Sequence, residues 1–257
     1  MKLSDRIKEF YENRTKTFLP RRMITIIRLD GKSFSKWTKN LEKPFDDGFS
    51  DDMDATAVYL CENIQGAKFA YTQSDEITVV LTDFDSLDSQ AWFDYNVQKM
   101  TSISASLATA KFNQLRMFRE GYDSEYKLAC FDARVFQVPD IEEMINTIIW
   151  RQQDCTRNSV SMAAHALLGH SATMNKSSDE KQDMLFKEKG VNWNDYKVKY
   201  KRGVVIKKQT IWVDGQNGEP VQRSKWLPDY NIPIFTQEKE YLYNLIPVIQ
   251  ITEDNIA

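Results

Sequence analysis

The stretch "FAYTQSDEITVVL", residues 69–81, decides the fold and poses the first chemical question. Its two flanks are apolar and β-branched, which predicts two strands joined by a short polar turn. Asp75 and Glu76 stand side by side at that turn, where their like charges repel. Two interpretations stay open from these residues alone, because either water solvates the pair or a cation binds there.

The segments around this hairpin follow the order of a ferredoxin-like fold. An apolar strand over 22–30 and a helix over 50–65, which Ser50 can cap, precede the hairpin; a long helix to about residue 115 and a strand over 129–139 follow it. A short amphipathic helix is predicted within 1–19. The order strand, helix, strand, strand, helix, strand predicts an α+β fold with an antiparallel sheet and helices on one face.

The second half of the chain is predicted to be an extension of this core. A long helix over about 140–168 comes first, followed by a polar segment over 170–190 with one further short helix. A strand pair is predicted within 191–213, and the turn-rich tail from 214 is assigned no structure. These patterns divide the chain into a catalytic-type core at 1–140 and a C-terminal extension at 141–257 that packs on it.

Composition excludes several classes of protein. With 34 basic and 37 acidic residues among 257, the net charge of −3 draws no polyanion by itself, so nucleic acid would need a local basic patch. Cys61, Cys130 and Cys155 are too widely spaced for a metal site or a disulfide framework, which favours a reducing, cytoplasmic location. The charged N-terminus is not a signal peptide, and no apolar run is long enough to cross a membrane.

The acids of the hairpin have an expected partner in Asp30. Asp30 ends the first core strand, which in this topology lies beside the strand that begins at Glu76. We therefore expect Asp30 and Asp75 to meet on one face and Glu76 to point to the other. Two carboxylates beside Gly31, whose backbone can approach a ligand closely, suit a divalent cation and phosphoryl transfer. A turn aspartate and a solvated hairpin tip remain the structural alternative.

Basic and polar residues near these acids admit the same two interpretations. Arg28, Lys32, Lys43 and Lys99 could pair with a triphosphate, or they are ordinary surface charges. In the segment 150–165, "WRQQDCTRNSVSMAAH", a set of polar residues could read a nucleotide or RNA, or bond a helix face to its loops, namely Arg151, Gln152, Gln153, Asp154, Arg157 and Asn158. The segment 199–208, "KYKRGVVIKK", favours a protected edge strand slightly over a phosphate-binding patch.

Two further patterns carry no assigned chemistry. The sequence "GKS" at 31–33 lacks the upstream glycine of a P-loop. His165 and His170 have no partner at ligand spacing and are assigned to the structure or the surface.

Taken together, these motifs resemble the tRNA-histidine guanylyltransferase superfamily of 3′–5′ nucleotide polymerases. The resemblance covers about residues 1–213 and rests on "IIRLDGKSFSKWTK", "KPFDDGFSDDMDATA", "YTQSDEITVVL", "QKMTSISASLATAKF", "FDARVFQVP" and "WRQQDCTRNS". It implies a palm-like catalytic core with the ferredoxin-like fold. It also implies a tRNA-processing transferase that assembles as a homotetramer and uses Mg²⁺ with ATP, GTP and other NTPs.

The resemblance implies roles for particular residues. Asp30 and Asp75 would ligate two Mg²⁺ ions with the Gly31 carbonyl, and Glu76 would be a further catalytic acid. The nucleotide would contact the two short segments at the acids and one lysine, namely Asp30, Gly31, Lys32, Ser33, Phe34, Ser35, Lys43, Ser74 and Asp75. Triphosphate or RNA would contact Arg28, Lys99, Arg151, Asn158, Lys181 and Asn192.

One departure from the family pattern narrows the expected reaction. Eukaryotic members carry His-Ile-Asn-Asn-Leu-Tyr-Asn where this chain has Thr-Arg-Asn-Ser-Val-Ser-Met after Cys155. The chain is therefore similar to the like-protein branch, which implies template-dependent repair of tRNA 5′ ends. Addition of a single G to histidine tRNA, a nucleotidyl cyclase and a non-catalytic tRNA-binding module are the alternatives.

Overall fold

A six-stranded antiparallel sheet forms the centre of the computed structural model, which describes residues 1–121, 127–214 and 219–246. Its strands are β1 (Ile24–Gly31), β2 (Ala67–Gln73), β3 (Glu76–Leu81), β4 (Phe131–Val138), β5 (Val204–Asp214) and β6 (Pro220–Asp229). They lie in the order β4-β1-β3-β2-β5-β6. The central position of β1 beside β3 is what brings Asp30 next to the β2–β3 turn.

Helices cover both faces of this sheet. They are α1 (Leu3–Phe10), α2 (Phe34–Trp37), α3 (Asp47–Asn63), α4 (Val97–Glu120), α5 (Ile141–Leu168), α6 (His170–Thr173), α7 (Ser178–Lys189), α8 (Val198–Arg202) and α9 (Glu240–Tyr243). Helices α3 and α4 pack on one face and α5 on the other, so the sheet is buried from both sides.

The alternation of β1 explains how one strand serves both cores. Ile27 and Leu29 point to the α3 and α4 side, whereas Ile24 and Ile26 point to α5. The same alternation assigns Arg28 and Asp30 to the α5 side. The apolar run therefore ends with a charged residue on the face of α5.

The predicted α+β class with an antiparallel sheet is confirmed, and so is the strand order of the first half. Helix α3 begins three residues before the predicted cap, because the Asp46 carboxylate accepts the N–H of Phe49 at 2.6 Å. The long helix predicted from residue 86 to about residue 115 begins only at Val97, so residues 86–96 are not part of it. Asn96 caps α4 by accepting the N–H of Lys99 at 3.0 Å, and the backbone just before it adopts positive φ angles.

The strand pair predicted within 191–213 is wrong in its placement. Residues 198–202 are helical, and β5 pairs with β6, which lies in the tail that was assigned no structure. Only the burial alternates along the outer part of β5, and most of β6 is not buried, so neither segment has a strong apolar pattern that would identify the pair. The expected location of "KYKRGVVIKK" on an edge strand is also wrong, since β5 lies between β2 and β6.

The C-terminal half contributes to the same sheet as the N-terminal half. Strand β5 pairs with β2 over Phe69–Thr72, and α5 covers the face that α3 and α4 leave open. The division of the chain near residue 140 stays a prediction. Within the described part of the chain, no helix has the length and apolar character needed to cross a membrane.

Candidate active site

A row of three carboxylates crosses the end of the sheet on its α5 side. Asp30 lies directly opposite Glu76 in the β1–β3 pair and directly opposite Asp132 in the β1–β4 pair. Side chains at directly opposed positions point to the same face. Glu76 is therefore on the same face as Asp30, which corrects the expectation that it would point away. The alternation was counted from Asp75, but Asp75 belongs to the turn and not to the ladder.

The β2–β3 turn holds Asp75 against the end of β1. Ser74 adopts a left-handed backbone with φ of 49°, and its hydroxyl donates to Asp75 Oδ1 at 3.0 Å. The backbone carbonyl of Asp75 accepts the N–H of Gly31 at 3.1 Å. Asp30 and Asp75 are thereby brought together at one end of the sheet, as the sequence predicted.

At the end of β1, Gly31 has no room for a side chain, because the ring of Phe34 occupies the space. A Cβ atom there would lie 2.3 Å from Cδ2 of Phe34, whose ring is 2% exposed and stacks on Trp37. The Phe34 ring is thus fixed in the α3 and α4 core. Ser33, with φ of 59°, turns the chain from β1 into α2 and keeps its own side chain exposed.

A cleft of about 530 Å³ opens beside this turn. Most of the residues predicted to contact a nucleotide line it, namely Gly31, Ser33, Phe34, Ser35, Lys43, Ser74 and Asp75. The side chains of Ser33, Ser35 and Lys43 are exposed, and the Lys43 ammonium group donates to the carbonyl of Thr38 at 2.8 Å. The cleft therefore joins one carboxylate, three serine hydroxyls and one cation from segments that are distant in sequence.

Glu76 differs from the other two acids of the row because it is hydrogen-bonded to a buried arginine. Arg151 of α5 donates its Nε–H to Glu76 Oε1 at 2.7 Å and its Nη2–H to Asp154 Oδ2 at 2.8 Å. Both Glu76 and Arg151 are buried. A buried carboxylate bonded to a buried guanidinium is held in one position and is poorly available to a cation.

Asp30 and Asp75 have environments that disfavour their negative charge. Burial, and after it the neighbouring Asp132 carboxylate, raises the pKa of Asp30 above its ordinary value. Burial is also the main cause that raises the pKa of Asp75, with Asp30 and Glu76 adding to it. A cation bound between Asp30 and Asp75 would offset this repulsion.

The ligands at this end of the sheet suit a partly hydrated Mg²⁺ ion better than a metal that protein side chains enclose completely. In the described ranges, no group of three or more His, Cys, Asp or Glu side chains is arranged to hold a metal ion. Mg²⁺ is usually held by one or two carboxylates, with water and substrate phosphates completing its shell. Asp30 and Asp75 beside an open cleft provide such a partial set of ligands.

A second, smaller cavity of about 70 Å³ adjoins the cleft and shares Phe49, Ser74 and Met162 with it. Two buried polar atoms without a hydrogen-bond partner belong to residues that line it, Asp54 Oδ2 and Gln73 Oε1. Burial raises the pKa of Asp54 to about 7. This cavity combines residues of α3, β2, α5 and α8, so the pattern of one helix did not predict it.

Several predicted site residues lie away from the carboxylates within one chain. Lys99 is in the first turn of α4, next to residues 15–17, which precede β1. That end of the sheet is roughly 20 Å from Asp30, which is the rise along β1 from Ile24 to Asp30. Lys181 donates to Ser161 Oγ at 3.0 Å, and Asn192 caps a short turn by accepting the N–H of Asn194.

The remaining predicted contacts are distributed around the site. Lys32 is exposed, and its N–H donates to the carbonyl of Cys130 at 2.8 Å. Asn158 lines the second cavity. Asp132 and Trp150 were missed: Asp132 becomes visible only through the β1–β4 register, and Trp150 only through its contacts with Arg28 and Arg151.

Comparison with known proteins agrees with this geometry. The family model of tRNAHis guanylyltransferase (Thg1) matches residues 4–139, slightly more than half of the chain. The tRNA(His) guanylyltransferase of Schizosaccharomyces pombe is 27% identical over 242 residues, covering 89% of this chain and 86% of the relative. An uncharacterized mimivirus protein, R259, is 29% identical over 242 residues, covering 86% and 82%.

Solved structures give the same result over nearly the whole chain. A bacterial tRNA(His) guanylyltransferase (Thg1)-like protein in complex with ATP is 39% identical with a TM-score of 0.85, covering 96% of this chain and 99% of that one. A complex of such a bacterial protein with GTP is 41% identical with a TM-score of 0.78, covering 95% and 98%. These matches confirm the resemblance noted from the motifs. The chain is a nucleotidyltransferase that belongs to the tRNA(His) guanylyltransferase family.

Proposed function

We propose that this protein is a magnesium-dependent 3′–5′ nucleotidyltransferase that adds nucleotides to the 5′ end of tRNA, with the opposite strand as template. The observation that supports it most is the cleft beside Asp75, which gathers the residues predicted to contact a nucleotide. Similar bacterial proteins at 39% and 41% identity have been solved with ATP and with GTP.

The metal ligands in this proposal are Asp30, Asp75 and the carbonyl of Gly31, which would hold two Mg²⁺ ions. When bound, magnesium supplies Lewis-acid stabilisation of the attacking and leaving oxygens of phosphoryl transfer. Asp75 lines the cleft from the β2–β3 turn and Asp30 adjoins it at the end of β1, and the Gly31–Asp75 backbone hydrogen bond holds these two segments together. Glu76 acts as the further essential acid through Arg151, which it holds next to the row.

The chain itself binds and orients the nucleotide phosphates. Lys43 presents an ammonium group, and Ser33, Ser35 and Ser74 present hydroxyls, all at the rim of one cleft. Charge-assisted hydrogen bonds from such groups are the ordinary means of holding a triphosphate. The 3′-hydroxyl of this nucleotide would attack the 5′-terminal phosphorus of the RNA, releasing pyrophosphate from a 5′ triphosphate or AMP from a 5′ end that ATP has adenylylated.

Template dependence is proposed because the segment after Cys155 lacks the asparagine-rich sequence of the eukaryotic enzymes. The similar bacterial structures are of like proteins. Base pairing with the opposite strand would then select each nucleotide. Addition of a single G to histidine tRNA is the alternative that the names of the eukaryotic relatives favour.

A homotetramer is part of the proposal, and the position of Lys99 supports it. Lys99 lies at the opposite end of the sheet from Asp30 in one chain. A second copy could supply this lysine to the carboxylates of the first, so that RNA binding is shared between subunits. The proposed location is the cytoplasm.

The deciding experiment offers the protein a 5′-truncated tRNA with Mg²⁺ and all four NTPs. One RNA carries a 5′ triphosphate, and another carries a monophosphate and is supplied with ATP. We expect lengthening at the 5′ end that follows the template base. The matched control is Asp132→Asn, which alters an exposed acid of the same row and is expected to retain more activity than Asp30→Asn or Asp75→Asn.

Three outcomes contradict the proposal in different ways. Addition of G whatever lies opposite would assign the single-G reaction. Consumption of NTPs to a cyclic product without RNA would assign a nucleotidyl cyclase. Tight binding of tRNA without Mg²⁺ and without NTP turnover would assign a non-catalytic binding protein.

A further inference from the structure

An exposed tryptophan borders the carboxylate row on the α5 side of the sheet. Trp150, in the first half of α5, is 47% exposed although its neighbours Ile148 and Arg151 are buried. The guanidinium carbon of Arg28 lies 5.3 Å from the centre of its ring, and that of Arg151 lies 4.3 Å away. Cation–π contacts of this kind hold the indole in place. The surface therefore presents an oriented aromatic ring beside Asp30 and Glu76.

Near Trp150, residues of like charge lie opposite each other in the β1–β4 pair. Arg28 lies directly opposite Arg134 in the β1–β4 pair, and two residues further along Asp30 lies opposite Asp132. Directly opposed like charges destabilise a sheet. Asp132 and Arg134 approach only to 3.8 Å and are each more than half exposed, so their attraction is weak. An anion at the arginine row would offset this repulsion.

Two different surfaces border Asp30, and each could bind a separate ligand. The cleft with the residues predicted for the nucleotide is lined by Gly31 and Phe34, which belong to the α3 and α4 side. Arg28, Arg134 and Trp150 belong to the α5 side and do not line that cleft. Asp75 lines the cleft and Asp30 belongs to the α5 side, so these two carboxylates border both surfaces, where two reacting molecules would meet.

We propose that Trp150 and Arg134 bind the RNA acceptor: the base of the 5′-terminal nucleotide stacks on Trp150, and Arg134, opposite Arg28, pairs with the phosphates beside it. This inference rests on the proposed function, because it takes the RNA 5′ end as the acceptor. Aromatic stacking suits any base, and arginines suit any phosphate. The surface therefore holds RNA ends of different sequence, as template-dependent addition requires.

The first test measures RNA affinity without Mg²⁺ or NTPs, by fluorescence anisotropy of an RNA hairpin with a 5′ monophosphate and a 3′ fluorescein. Trp150→Ala should weaken binding by about 5- to 150-fold, the range for one base stacked on an aromatic side chain. Trp150→Phe should keep most of the affinity. Phe118→Ala, which removes an aromatic ring that is 82% exposed on α4, should change affinity less than twofold.

Two further measurements locate the contact on the RNA. With a hairpin whose 5′-terminal nucleotide is abasic, wild type should already bind weakly and Trp150→Ala should lose nothing more. Arg134→Gln should reduce the slope of log affinity against log salt by about 0.7–0.9, as expected for one lost phosphate contact, whereas Trp150→Ala should leave the slope unchanged. ATP affinity should be the same in wild type and Trp150→Ala.

The outcomes separate this inference from the proposed function. Unchanged RNA affinity in Trp150→Ala, an equal loss on the abasic hairpin, or loss of ATP affinity alone would overturn the inference even if wild type extends tRNA. The predicted losses in a protein that extends no RNA would uphold the RNA surface and overturn the polymerase. Wild type that does not bind the hairpin overturns both. Circular dichroism and thermal melting of each variant verify that it is folded.

Discussion

Asp52 and Asp30 are both acids in the first half of the chain, and their surroundings are opposite. Asp52, in α3, is 3% exposed and accepts hydrogen bonds from Arg116 at 3.1 Å and from Arg119 at 2.9 Å. Asp30 faces Asp132 and Glu76 across the sheet, and Glu76 alone has a buried arginine. The first carboxylate joins α3 to α4, whereas the second lies between two other acids, whose repulsion Arg28, Arg134 and Arg151 oppose.

This difference indicates which acid contributes to folding and which to binding. A buried acid that is paired with two guanidinium groups supports the folded state, and removal of one partner lowers the free energy of unfolding strongly. Acids that repel one another reduce stability, and they are kept only where something other than the fold needs them. The following predictions test that distinction, from the largest expected effect to the smallest.

Asp30→Asn and Asp75→Asn should abolish nucleotide addition and leave stability unchanged or slightly higher. Loss of a metal ligand removes several kcal/mol of transition-state stabilisation, roughly 10³-fold or more in rate. Loss of a repelling charge should not lower the melting temperature. Single-turnover extension of 5′-triphosphate tRNA and thermal melting measure the two effects. A variant that is folded and extends RNA at the wild-type rate would remove Asp30 or Asp75 from the catalytic site.

Asp52→Ala should show the reverse pattern. It removes the carboxylate that Arg116 and Arg119 bond, which should cost about 3–5 kcal/mol of unfolding free energy. Below the unfolding transition, its rate of nucleotide addition should stay within about threefold of wild type. Urea denaturation followed by circular dichroism measures the cost. If the variant loses activity while it keeps its stability, the contrast between the two acids is wrong.

Asp54→Asn should remove a pH dependence of stability. Burial raises the pKa of Asp54 from 3.8 to about 7, while Lys199 lowers it and Asp51 raises it further. Because the folded state favours the protonated form, this stabilisation is complete below pH 4 and is lost as the pH rises towards 7. The variant should therefore gain stability relative to wild type over that range, by at most about 4 kcal/mol.

The measurement is the difference in urea midpoint between Asp54→Asn and wild type at several pH values between 4 and 8. A difference that does not change across this range would mean that Asp54 titrates normally. Asp51→Asn is a suitable comparison, since Asp51 is exposed, lies within one turn of Asp54 on α3 and bonds Lys199.

Lys187→Ala should have the smallest effect. Lys187 and Asp183 form an i, i+4 pair on α7 with both side chains more than 70% exposed. Pairs of this kind contribute about 0.3–0.5 kcal/mol and are screened by salt. Urea denaturation at low and high ionic strength measures the change. A loss of more than about 1 kcal/mol in the free energy of unfolding would show that an exposed charge far from the core can contribute strongly to stability in this protein.

The sequence predicted those features that depend on local pattern. The hairpin around residues 74–75, the class of the sheet and the approach of Asp30 to Asp75 all follow from alternation and strand order. The family assignment followed from motifs in the same strands and loops. These predictions needed no knowledge of contacts between distant segments.

The features that were missed all depend on register or on distant pairing. Glu76 shares a face with Asp30 because the turn at Ser74 and Asp75 interrupts the alternation. The β5–β6 pair was misplaced because turn residues in the tail hide an edge strand. Arg28 and Arg134 meet only through the β1–β4 register, which hydrophobic pattern alone does not fix.

The pairing of β2 with β5 has a consequence for biosynthesis. Phe69–Thr72 of β2 pair with residues near Val205 of β5. The ribosome synthesises this partner strand more than 130 residues after β2. Until then β2 has an unpaired edge, open to other chains. Contacts of such long sequence separation form slowly. We therefore expect the β2 side of the site to be completed late in translation, after the residues of β5 have emerged.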